Sequence, residues 1–215
     1  MNVDEASDDA TAWLWPQPGQ DLLTDQGHWS QIACVGWLKD DWYGHAHAFR
    51  RSAEILHQQA SQDTCELDTA FFPMAFLWRH YVELTLKRLI TDLQHLLNEP
   101  SQEVMRTHNI EVLWRVFRPL AERAHPNEPS TDLDNVEATL RQLHGLDPTS
   151  EGFRYPIRAN GSPTLEGIDR IHLGTFHDAM VRTANWLDSG VDLVDEELQM
   201  KAEYDREMSA EQDWY

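Results

Sequence analysis

Arg79, Glu83 and Lys87 stand four residues apart in the stretch RHYVELTLKRLI, residues 79–90. At 3.6 residues per turn they stack into one shallow stripe, so Glu83 can bridge the arginine above it and the lysine below. Two chemistries fit this ladder. In the first it is a structural ion network, in which the carboxylate keeps its partners because a stranded buried charge costs several kcal/mol. In the second it is a polar floor whose cations meet a phosphate or nucleotide. The neighbouring Phe76, Leu77, Leu84, Leu86 and Leu89 predict at least partial burial in both cases.

Other spacings exclude more than they offer. His45 and His47 are two apart, and His172 and His177 five apart, so neither pair has the i, i+4 placement of a helical zinc site. Cys34 and Cys65 are not spaced as metal ligands. No metal and no cofactor is expected. Without a P-loop, a GxGxxG or a GxSxG elbow, nucleotide hydrolysis by a known loop and serine-hydrolase chemistry lack support.

The chain has 215 residues, with 37 acidic against 17 basic and a formal net charge of -20. Such a surface repels phosphate backbones and anionic lipid, so RNA is disfavoured and would need a local basic island. Cationic proteins, peptides or metals are the electrostatically easier partners. No apolar run approaches the roughly 20 residues needed to cross a bilayer. The start, MNVDEASDDA, lacks the basic and apolar regions of a secretory signal, and the expected location is the reducing cytoplasm.

The elements that must position these residues are predicted to be helices. Residues 1–27 read as a flexible or draped arm that Trp13, Leu14 and Trp15 could anchor, 28–190 as a helical bundle, and 191–215 as an acidic helix or tail. Trp42, Ala46, Phe49, Ala53, Leu56 and Ala60 mark the first amphipathic face. A second helix, capped by Asp68 or Thr69 with Pro73 in its first turn, carries the ladder to about Asn98. Asn109 or Thr107 caps a third, whose face is Ile110, Leu113, Val116 or Phe117, and Leu120.

Leu133, Val136, Leu140 and Leu143 define a fourth helix ending at Gly145, and a fifth runs from Ile171 to Leu187. Between them Ala159-Asn160-Gly161-Ser162 predicts a tight turn in a loop or small hairpin. Of nine tryptophans, Trp78 and Trp114 read as core. Trp13, Trp15, Trp29, Trp37 and Trp42 read as residues that pin the arm, ahead of an exposed dimer or partner patch.

WRHYVELTLKRLI, then THNIEVL, then FRYP, together resemble the HEPN superfamily of bacterial four-helix-bundle proteins over roughly Trp42 to Leu187. The resemblance implies an all-α fold: a HEPN-like up-and-down helical bundle of about five helices with a short hairpin or loop over one end. Glu83, Leu84, Leu86 and Lys87 take the family's Glu-Leu-x-Leu-Lys positions, His108 its helix-start histidine, and Arg154, Tyr155 and Pro156 its Arg-Tyr-Pro. These would converge at one end of the bundle. The ligand-binding set under this reading is Arg79, Glu83, Lys87, His108, Arg154 and Tyr155.

The nuclease branch of that superfamily is marked by Arg-x(4-6)-His, which implies metal-independent RNA cleavage at a site assembled across a dimer. The pattern occurs as Arg50 or Arg51 with His57, Arg88 with His95, Arg118 with His125, and Arg170 with His177. Arg170 and His177 are the candidate catalytic pair, at the start of the last bundle helix, although Ile171 stands where the active branch favours a polar residue. The lead expectation is a binding or accessory module of a bacterial stress, toxin–antitoxin or phage-defence system, a homodimer acting through a ligand or protein partner. The rivals are an active endoribonuclease and an acidic antidote that neutralises a basic partner through the tail.

Overall fold

Between Met74 and Ile90 the chain has no exposed residue, over more than four turns of one helix. A helix buried around its whole circumference must sit at the centre of its neighbours. In this computed structural model, which describes residues 15, 16, 18–100 and 104–212, that helix is α2, Leu67–Leu96. The others are α1, Trp42–Ala60; α3, Ile110–Ala124; α4, Ser130–Leu146; and α5, Leu173–Gln212. α2 packs on α1, α3 and α5, while α4 closes against α3 and α5.

The protein is thus an all-α helical bundle. Among the described residues the sole β-type pairing is an isolated bridge between Ile157 and Pro163. That bridge closes the expected turn, in which Gly161 takes φ +83° and Arg158 and Ser162 pair through Arg158 N–H and the Ser162 carbonyl at 2.8 Å. No helix among the described residues is long and apolar enough to cross a membrane.

Local chemistry explains the packing. Ala46, Ala53 and Ala60, seven apart, are all buried, and their small side chains let α1 lie close along α2. Asn109 caps α3 as expected, its Oδ1 accepting from Val112 N–H at 3.0 Å. The loop after α4 is pinned by Phe153, whose ring meets the edge of Phe71 at 6.0 Å. Phe71 in turn meets Phe176 of α5 at 5.6 Å.

Three boundaries differ from expectation. α2 begins at Leu67, after a 3-10 turn at Thr64–Glu66, so Pro73 lies in its second turn. Thr69 does not cap it but donates to the Glu66 carbonyl at 3.0 Å. α4 continues through Gly145 to Leu146. α5 does not stop at Leu187: it passes Gly190 unbroken and includes the acidic stretch as far as Gln212.

The described residues divide into two units at Lys39 and Asp40, and the helices all belong to the second. The first unit contains two 3-10 turns, Trp29–Gln31 and Val35–Leu38, with Trp15, Trp29 and Trp37 exposed. Trp13 and Leu14 lie outside the described residues.

Candidate functional site

The ladder on α2 is a buried, internally paired network. Arg79 is 1 % exposed, Glu83 2 % and Lys87 4 %. Arg79 donates through Nη1 to Glu83 Oε2 at 3.3 Å and through Nη2 to the His108 carbonyl at 2.6 Å. Its Nε faces Asp147, 3.3 Å from the carbonyl and 3.1 Å from Oδ2. Lys87 Nζ donates to Glu83 Oε1 at 2.8 Å and to the Met105 carbonyl at 3.0 Å. His108 Nδ1 is also 2.8 Å from Glu83 Oε1.

Asp147 is the partner that sequence reasoning missed. It is the residue after α4, wholly buried, and its Oδ1 accepts from Gly152 N–H at 2.7 Å. A β-carbon on Gly152 would lie 3.1 Å from the Leu146 carbonyl oxygen, so any larger residue would push this loop open by a few tenths of an ångström. Two cations and two carboxylates therefore cancel inside the bundle, tying α2 to the start of α3 and the end of α4. The Asp-Pro after a helix is an ordinary stop signal, and nothing local in it reveals a partner 68 residues away.

The electrostatics follow from this geometry. Burial alone would raise the Glu83 pKa, but the hydrogen bonds and positive charge of Lys87 and His108 hold it below the ordinary carboxylate value. Burial lowers the Arg79 pKa against the pull of Asp147 and Glu83, with Arg154 adding a nearby positive charge. Arg154 itself is exposed, donates to the Ser150 carbonyl at 2.6 Å, and holds its guanidinium 5.3 Å from the Tyr155 ring centroid. Of the six candidate binding residues, Arg79, Glu83, Lys87 and His108 are thus in direct contact. Arg154 and Tyr155 stand in the adjoining loop, and only the rings of His108 and Tyr155 and the Arg154 side chain offer much surface.

The Arg-His patterns are placed differently. Arg50 is bound to Glu54, Asp188 and Asn185, Arg88 to Asp92 and both oxygens of Asp195, and Arg118 to Glu122, Asp134 and Glu137. Arg170 lines an open cleft of about 680 Å³ together with His57, His172 and the Phe71–Phe72 pair. His177 stacks on His57 with centroids 3.7 Å apart and meets the edge of Trp78 at 5.6 Å. The histidines that share the cleft wall with Arg170 are therefore His57 of α1 and the nearby His172, not His177, and the spacing within one helix could not disclose the placement of His57. Among the described residues no group of three or more His, Cys, Asp or Glu is arranged to hold a metal ion.

Comparison with models of protein families, with curated proteins and with solved structures finds no match to this chain.

Proposed function

We propose that the chain is a HEPN-like binding or accessory module of a bacterial stress, toxin–antitoxin or phage-defence system, a homodimer that acts through a ligand or protein partner. The observation that carries this reading is the commitment of its cations. Arg50, Arg79, Lys87, Arg88, Arg118 and Arg123 are each paired with carboxylates of the chain itself. With a net charge of -20 around them, these pairs leave fewer cations free to neutralise an RNA backbone.

A second reading, an endoribonuclease using Arg170 and His177 at a dimer interface, is favoured by one feature: Arg170 and His172 line the same cleft as His57, the ring on which His177 stacks. An arginine and imidazoles there would polarise a scissile phosphate and assist 2′-hydroxyl attack. RNA cleavage without metal, assayed on wild type beside Arg170→Ala and His177→Ala, separates the two. The module predicts no cleavage in well-folded protein cleared of contaminating nuclease. Cleavage that disappears in both variants while folding is retained would establish the nuclease.

A further inference from the structure

Trp186, Gly190, Leu193, Glu197, Met200 and Tyr204 follow one another on α5 at spacings of four, three, four, three and four, with Met208 four further on. That alternation is the spacing of a coiled-coil seam and holds these side chains on one face of the helix, apolar but for Glu197, which is paired within the chain to His125 Nε2 at 3.0 Å. Among the described residues no helix covers the lower half: Met200 and Tyr204 are each 61 % exposed, and Leu193 and Met208 about 40 %. The upper half opens into a cleft of about 400 Å³ walled by Leu93, Phe117, Leu133 and Trp186.

Gly190 lines this cleft, and a β-carbon added there would meet nothing within 4 Å. Glycine inside a helix costs about 1 kcal/mol relative to alanine. Packing within the chain does not demand it, so what Gly190 leaves is room for a side chain from outside. The surroundings are acidic. Glu122, Glu128 and Asp132 stand at the cleft, and Glu196 and Glu203 flank the seam below. Lys201, on the opposite side of the seam, is already bound to the His95 and Leu96 carbonyls at 2.8 and 2.9 Å.

We infer that this face of α5 is a docking surface for a basic amphipathic helix of a partner protein. The partner lays its apolar stripe along Leu193, Met200, Tyr204 and Met208, inserts one bulky apolar side chain beside Gly190, and sets lysines or arginines against the acidic flanks. A second copy of this chain is the poorer occupant, since it would bring acidic flank against acidic flank. The inference rests on the binding-module reading and gives it a partner chemistry. The two fail separately: RNA cleavage tests Arg170 and His177, whereas helix docking tests Gly190, Met200 and Tyr204.

The probe is a Lys/Leu amphipathic helix of about 21 residues, three heptads long, beside a scrambled peptide of the same composition and a Glu/Leu peptide of the same pattern. Fluorescence polarisation at physiological ionic strength is expected to show the patterned Lys/Leu peptide binding at least about tenfold more tightly than either control. Met200→Glu and Tyr204→Glu, both on the exposed half and so expected to leave folding intact, should each weaken it about tenfold, and Gly190→Leu should block it. Equal binding of the scramble would reduce the effect to bulk charge and overturn the proposal. So would binding indifferent to Met200 and Tyr204, or a dimer of the free protein that Tyr204→Glu dissociates in sedimentation, which would give the face to a second copy.

Discussion

The rings of His57 and His177 lie face to face, 3.7 Å between centroids and 9° from parallel, joining α1 to the second turn of α5. Burial of His177 and the neighbouring His57 hold the His177 pKa below its ordinary 6.5, with Asp178 and Glu54 opposing. A group whose pKa is depressed on folding binds fewer protons in the native state, so its stabilisation is complete above 6.5 and is lost as pH falls through the folded value. The burial-depressed pKa of His80 acts in the same direction. Thermal melts between about pH 7.5 and about pH 5 should show Tm falling with pH, and falling less in His177→Phe. An identical pH slope in wild type and variant would refute the role of the stack.

Glu83→Ala should cost about 3–5 kcal/mol in urea denaturation, because it leaves Arg79 and Lys87 buried without their shared carboxylate. Asp147 still faces Arg79, which places Lys87 as the group left most exposed to the loss. The lowered Glu83 pKa adds a second signature: this stabilisation is present above 4.5 and disappears as pH drops through the lower folded value. A midpoint unchanged from wild type would dissolve the network as a source of stability.

The ladder was legible in the sequence because i, i+4 spacing is local, and so were the Asn109 cap, the Asn-Gly turn and the core faces of α3 and α4. Which of the two ladder chemistries the fold supplies was not, since pairing with Asp147 and the Met105 and His108 carbonyls depends on where other segments land. The continuity of α5 was hidden for a different reason. Asp188-Ser189-Gly190 looks like a helix stop, and the acidic residues beyond it mask a short core face, Val191, Val194 and Leu198, that continues the face of Ala184 and Leu187. What sustains the helix there is tertiary: Asp188 accepts from Tyr81 at 2.6 Å and Arg50 at 2.6 Å, and Asp195 holds Arg88.

Gln94 is 2 % exposed, and neither polar atom of its amide has a hydrogen-bond partner among the described residues. An apolar side chain of similar size removes that desolvation penalty, so Gln94→Leu should stabilise the fold by about 1–2 kcal/mol. Chemical denaturation settles the sign. A destabilised variant would mean that a polar group reaches the amide.

Lys201 closes the end of α2 from across the bundle, donating to the carbonyls of His95 and Leu96 and to Asn98 Oδ1 at 2.6 Å. A cation at a helix C-terminus satisfies carbonyls that have no partner within the helix. Lys201→Ala should therefore cost about 1–2 kcal/mol, and more than the neutral loss expected for an exposed lysine. A change within about 0.5 kcal/mol would show that α5 is not fastened at this point.

The burial of α2 on every side makes it the common wall of the bundle. α1, α3 and α5 each pack more extensively on it than on any other helix, so its loss would strip each of its largest interface. The backbone amides from Met74 to Ile90 should then exchange with deuterium only when the whole helical unit opens, at the rate set by its global free energy. The same dependence binds the helices into one cooperative transition. A protease that cuts within α2 would release no fragment able to fold, which makes the intact centre of the bundle the sole route to every surface it supports.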